Sequence, residues 1–469
     1  MFELAIQELA GVLDRNTWVS QLSGILPLSA LIDFIEIPPK LHILQLTAAS
    51  PLWTWLVTPA GSRLLLSDDN TLQRGCYLDD YGNSVSLLGI DGRYGDRYII
   101  ANPETIRLCI GLQKPHIIAN TQETMHFDNL RIQNLDVIKV SRLEPYKRAR
   151  SASWLRYTVL DVWQRYSMRY LVTSVLGWII LFAMITMSFA LKTYIASTFL
   201  AIVPLTGGVV FGLYAQNPRR LLNALPSTQT SYNRLILVAE HANAINWTVF
   251  YGESTIVNAL LNRPLEAQGP KISNARRHVL RALLRVLILG QWSLAIGSAA
   301  TQGWSSYFIS FWILFSIASQ GYAIPVRRQA GDWMKSCANI RMERYQTQLS
   351  SRRALLNTVL ALNPDTFSLV SNADNTLQED RLRFYNGAMK WIDPILEPGL
   401  NRSKWEAASL QAMNEAHLQS INDKYPSPEW LRTYSEYWQP YILEGIEMAA
   451  KIRQEAKLPG RTVSPELKD

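Results

Sequence analysis

The side chains with most chemistry to offer are six histidines, three cysteines and the pair Asp79-Asp80. His42, His116, His126, His241, His278 and His417 include no two at i, i+3 or i, i+4, so they make no helical metal face. Cys76, Cys109 and Cys337 lie too far apart for a zinc clip, and in a reducing compartment they are thiols. Asp79-Asp80 has no second acidic motif to face it and reads as part of a hairpin. The run Gly89-Ile90-Asp91-Gly92-Arg93-Tyr94-Gly95 lacks the spacing of a dinucleotide fingerprint, and no Gly-Lys-Ser/Thr or Gly-x-Ser-x-Gly occurs. The expectation is therefore no metal and no cofactor. Glu240-His241, near Asn243, Asn246 and Glu253, is the densest polar cluster and could act as an acid–base pair. Neighbouring residues on one element point different ways, so a hydrogen-bonded packing segment is the plainer reading. His417, on an apolar helix stripe, reads as packed.

The elements that would position these groups are dominated by two uncharged blocks. The chain has 469 residues, 48% apolar and 18% charged, with a formal charge of +8. This composition excludes a disordered, collagenous or disulfide-stapled chain. Residues 1–140 hold 10 Lys/Arg against 15 Asp/Glu, whereas residues 141–328 hold 19 against 5. The basic excess thus flanks apolar runs, which is a membrane signature and not a nucleic-acid face.

The first block, 170–216, carries Lys192 as its only charge. Tyr170–Leu191 is about 33 Å long as a helix, enough to cross a hydrocarbon core of about 30 Å. Thr193–Ala215 is its partner, with Lys192 at the turn. The second block, 286–326, has no Asp, Glu, Lys, Arg or His and splits near Thr301–Ser306 into Val286–Thr301 and Tyr307–Ile324. The expected fold is a mainly α membrane protein with two transmembrane hairpins, or four spans. Basic residues precede and follow each hairpin and are nearly absent from the tips. The positive-inside rule therefore expects both termini in the cytosol. Small residues at four-residue spacing, Gly208 and Gly212 and then Ser293 and Gly297, are candidates for close helix packing.

The remaining segments read as cytosolic. Residues 1–140 read as an α+β domain, with β-like runs at Leu41–Thr47, Val85–Ile90, Arg97–Ala101, Thr105–Leu112 and Arg131–Val140. Residues 141–169 read as a basic amphipathic interfacial helix. The middle segment, 217–285, packs on other cytosolic parts. Residues 327–458 read as a helical domain with one long helix over Met342–Leu362, an N-terminal start at Ser403 and a kink at Pro440. A polar, disordered tail over 459–469 completes the chain.

Two stretches carry a resemblance: Trp55–Ser62, and Leu235–Leu265 with its Ala239-Glu240-His241-Ala242-Asn243 and Asn246–Gly252. With the paired hairpins, the chain resembles uncharacterised multi-pass membrane proteins of filamentous fungi, some encoded beside secondary-metabolite enzymes. The resemblance implies an accessory role in a biosynthetic pathway and transfers no functional residue. Three functions are expected to compete. The first is a non-catalytic scaffold binding protein partners on the cytosolic face. The second is a membrane-embedded enzyme for a hydrophobic small molecule. The third is an oligomeric channel or exporter. In each the partner is a lipid bilayer, with no nucleic acid.

Overall fold

The computed structural model describes residues 2–33, 36–66, 75–81, 85–120, 131–143, 167–215, 218–221, 232–266, 273–369, 382–384, 389–421 and 438–458. The chain forms two compact units and visits each three times. Unit 1 comprises Met1–Asn83, Glu144–Leu221 and Pro264–Asn339; unit 2 comprises Ser84–Leu143, Leu222–Arg263 and Ile340–Asp469.

The first pass through unit 1 forms α1 (Phe2–Arg15), α2 (Thr17–Asp33), α3 (Ile37–Thr47), α4 (Pro59–Leu66) and α5 (Tyr77–Tyr81). Unit 2 then gains β1 (Leu88–Asp91), β2 (Arg97–Ile99), α6 (Pro103–Leu112), β3 (His116–Ile117) and β4 (Gln133–Arg142). Unit 1 continues with α7 (Met168–Ala190) and α8 (Tyr194–Tyr214), and unit 2 with β5 (Asn233–Ala239), β6 (Asn246–Glu253) and α9 (Ser254–Leu261). The last pass of unit 1 holds α10 (Asn274–Thr301), α11 (Trp304–Ala318) and α12 (Val326–Ser336). Unit 2 closes with β7 (Ile340–Leu349), α13 (Arg352–Leu362), the short pair β8 (Phe367–Leu369) and β9 (Leu382–Phe384), α14 (Leu400–Ile421) and α15 (Gln439–Ala456).

In unit 1, α7, α8 and α10 are long and apolar enough to cross a membrane. A fourth crossing is added if α11, extended by a π turn over Ser319–Ala323, and α12 count as one span bent by 52°. By length and composition these are the helices of a multi-pass membrane protein. Lys192 sits in the α7–α8 turn with a left-handed φ of 59°, as the turn between two adjacent spans requires. Exposed Val172, Val175, Ile179 and Phe182 on α7 form an outward apolar face, which lipid can cover.

The N-terminal passage mixes helices and strands, as expected, but its first β-like run changes type. Residues 41–47 are helical in α3, because Ile37, Leu41 and Leu44 pack into the core of the apolar helices. Pro38 and Pro39 sit in the first turn of α3, where a missing N–H costs nothing. Helix α2 packs along α10 and α11. The segment Trp53–Val57 enters the same core beside Phe199, Leu200 and Val203 of α8 and Trp312 of α11. The expected amphipathic helix over 141–169 lies almost wholly outside the described residues, as does the tail.

Unit 2 is built on a seven-stranded mixed sheet of order β2-β1-β5-β6-β4-β7-β3. β4 pairs parallel with β6 and antiparallel with β7, so Val137 faces Val249 on one side and Tyr345 on the other. Leu135, Val137, Leu237 and Val249 share a core with Leu355, Val359, Met448 and Ile452 of α13 and α15. Two elements change type relative to the sequence reading. Thr105–Leu112 is helical in α6, entered through Asn102-Pro103. Met342–Leu362 is strand then helix, broken at Ser350-Ser351, where the Ser351 side chain accepts from the Ala354 N–H at 3.3 Å. β7 belongs to a strand pattern because β4 and β3 take its backbone groups on both edges. α14 begins at Leu400, ahead of Ser403, and Pro440 lies in the first turn of α15, where it makes no kink.

Candidate functional site

Among the places in the described residues that collect polar chemistry, three bear on function. The first is the interior of the apolar bundle. Gln291 of α10 is fully buried. Its Nε2 donates to Trp55 O at 3.1 Å and Thr206 Oγ1 at 2.7 Å, and its Oε1 accepts from the Val57 N–H at 3.2 Å. Trp292 Nε1 donates to Val57 O at 2.9 Å, and Trp53 Nε1 to Ser174 O at 3.2 Å. The backbone of Trp55 and Val57 is thus satisfied by two side chains of α10, and the Trp53 indole by the α7 backbone, which is how irregular backbone is tolerated away from water.

The candidate packing residues behave differently. A Cβ on Gly208 or Gly297 would meet nothing within 4 Å, one on Gly212 would meet only Leu280 at 3.6 Å, and Ser293 is exposed. The close approaches fall on Gly177, where a Cβ would lie 2.0 Å from Trp53, and Gly207, 2.3 Å from Leu52 O. Four-residue spacing found small residues, but only the inserted segment decides which of them are crowded.

The second place is in unit 1, where His42, Cys76 and Asp79 bring ligand-type atoms within 4.8 Å of one another. Sequence reasoning sought no such set, because His42 lies far from the other two along the chain. The hydrogen bonds explain it without an ion. His42 and Gln45, one turn apart on α3, accept from the Leu78 and Tyr77 N–H groups at 3.1 and 2.7 Å, and so cap the start of α5. With its Nδ1 accepting, the neutral ring carries its proton on Nε2, so neither nitrogen is open to a metal. Burial, and then the nearby Arg219 guanidinium, push the His42 pKa down to about 3. Burial, and then Asp79, push the Cys76 thiol up, which disfavours the thiolate a metal needs. The buried Arg219 already supplies the positive charge here, with Nη2 donating to Gly75 O at 3.3 Å.

The third place is a cavity of about 980 Å³ in unit 2. It lies where β4 and β6 begin and β5 and β7 finish. The first turns of α13 and α14 form part of its wall, through Ser351, Arg352, Arg353, Asn401, Arg402 and Lys404. Arg131, Gln133 and Asn243 come from the strand ends, and Trp405 and Trp438 supply aromatic surface. Arg352 Nη1 donates to Asn243 Oδ1 at 2.6 Å and Nη2 to Ile395 O at 3.2 Å, while its buried Nε has no protein acceptor. Burial, and then the charge of Arg131, lower the Arg352 pKa. Arg402 is neutralised by Asp393 and Glu406, at 2.5 and 2.6 Å.

Glu240 and His241 lie at the β5–β6 turn, both exposed. His241 Nδ1 accepts from the Asn243 N–H at 3.2 Å, so this ring braces the turn. The contributions of that turn to the cavity are Asn243 and Ala244, two and three residues beyond His241. The His417 side chain lies outside the described residues. No protein-family model, curated protein or solved structure matches this chain.

Proposed function

We propose that the chain is a non-catalytic membrane protein, anchored by unit 1 and presenting unit 2 for binding. The observation that carries this reading is the occupied interior of the apolar helices. Trp53, Trp55, Leu56 and Val57 fill it, and Gln291 locks them in place. A conduit needs a wetted path lined by polar or charged groups. The expected experiment is reconstitution in liposomes. The anchored-protein reading predicts no ion current and no solute efflux above empty vesicles, and a saturable flux would overturn it.

An accessory place in a biosynthetic pathway is the finer form of this proposal. Deleting the gene should lower a product without accumulation of one precursor. Accumulation of one precursor would favour instead an enzyme acting on a hydrophobic metabolite.

The proposal extends to orientation. Ser20 Oγ donates to Gln302 Oε1 at 3.2 Å, and Tyr307 OH donates to Val19 O at 2.5 Å. The start of α2 is thus held at the α10–α11 turn. Helix α3, which follows α2, packs on α12, and Leu46 O accepts from the Arg219 N–H at 3.0 Å, just beyond the end of α8. These contacts support α2 as a further crossing. In that reading the basic flanks and unit 2 are cytosolic, and the N-terminus lies on the opposite face. This differs from the sequence expectation of two cytosolic termini, and labelling of the two ends decides between them.

A further inference from the structure

We propose that the unit 2 cavity is a binding site for an organic phosphate, a small molecule carrying at least two negative charges. The argument begins with charge. Five cationic side chains line the cavity, Arg131, Arg352, Arg353, Arg402 and Lys404, against one carboxylate, Glu397. Arg402 has its charge matched by Asp393 and Glu406. Among the described residues no acid pairs with Arg131, Arg352 or Lys404, and Arg131 and Arg352 repel each other. Bringing like charges together beside a partly buried cavity costs free energy that an anion would offset.

The backbone adds to that field. The starts of α13 and α14, helices of 11 and 22 residues, both border the cavity. Their macrodipoles put positive potential where their unpaired N–H groups lie.

Three side chains that line the cavity also carry a buried polar atom without a partner among the described residues. Trp405, 5% exposed, and Arg352 offer Nε1–H and Nε–H donors. Gln133, 2% exposed, offers Oε1 as an acceptor without a donor. Buried groups of this kind are ordinarily satisfied, and a ligand that reached them would supply complementary atoms. Donors and cations match phosphate oxygens. The lone acceptor matches a hydroxyl or amino group on the same molecule. Leu356, Leu396 and the two tryptophans suit a flat or apolar portion, and the volume exceeds that of a bare inorganic anion. A soluble nucleotide and a phosphoinositide headgroup share this chemistry; the tryptophans favour the nucleotide.

The test is isothermal titration of the full-length protein in detergent with ATP, with inositol trisphosphate, and with adenosine. Saturable binding of ATP or of inositol trisphosphate is expected, weakening as salt rises, with adenosine much weaker. Which of the two binds identifies the source of the phosphate. Arg131→Ala with Lys404→Ala removes two cations that hold no described partner. This double variant should weaken binding by about tenfold or more, which corresponds to roughly 1.4 kcal/mol or more. Trp405→Phe, which keeps a ring and loses the N–H, should weaken it by a smaller factor. Thermal unfolding of each variant, unchanged from the parent, separates lost binding from lost fold. No binding of either phosphate at millimolar concentration overturns the proposal, as does equal affinity in a folded double variant.

Discussion

His42 shows how a residue with catalytic or metal-binding potential is consumed by structure. Its ring accepts an amide hydrogen at the start of α5, and burial with Arg219 holds its pKa down to about 3. The folded state therefore binds fewer protons here than the unfolded chain, whose histidine titrates near 6.5. Stability from this group is full above that value and is lost as the pH falls from about 6.5 towards 3. His42→Asn keeps an acceptor without the titration. Its unfolding midpoint, followed by circular dichroism across that range, should fall less steeply on acidification than that of the parent. Gln291 is the second telling residue. Gln291→Leu leaves the Val57 N–H, Trp55 O and Thr206 hydroxyl without their partner, and should cost about 1–3 kcal/mol. A lower thermal midpoint in detergent would register it.

At the scale of elements, α2 carries the proposed change of topology. From Thr17 to Ile32 it holds no charged residue, and at 17 residues it is about 26 Å long at ~1.5 Å per residue. Trp18, Leu22 and Ile25 are exposed along one side, while Ser23 is buried and Gly24 lies near Ala299 and Gln302. An apolar stripe outside and small residues inside suit a helix between lipid and protein. Membrane-impermeant labelling of single cysteines at position 4 and near the C-terminus should therefore report opposite faces; labelling from one face alone would remove α2 from the bilayer. The second elemental feature is the contact of α7 with the inserted segment. Gly177→Ala would drive a methyl into Trp53, whose Nε1 is tied to Ser174 O. An overpacking cost of about 1–3 kcal/mol is expected, seen as a reduced thermal midpoint, whereas Gly208→Ala should be nearly neutral.

The whole molecule is organised by a chain that passes three times between two units, so neither is a continuous stretch of sequence. Ending the chain after Asn339 would remove β7, the strand between β4 and β3, together with α13 and α15. Unit 2 should then lose its protease resistance while the apolar helices of unit 1 persist. Much of this protein was nevertheless legible in the residues alone. Long uncharged runs determined α7, α8, α10 and α11, because an apolar helix needs only length and apolarity, which are local properties. Lys192 marked the turn between α7 and α8 for the same reason. The β-like run Arg131–Val140 likewise announced β4. What tertiary structure decided was everything set by partners distant in sequence. Residues 41–47 have an apolar composition that suits strand or helix, and helical packing inside unit 1 settled the choice. Residues 342–349 became a strand because β4 and β3 offered edges for their backbone groups. Arg131, Asn243, Arg352 and Trp405 line one cavity only because the sheet brings four separate stretches to the same end. No spacing along the chain records that meeting, since each stretch by itself is an ordinary turn or helix start.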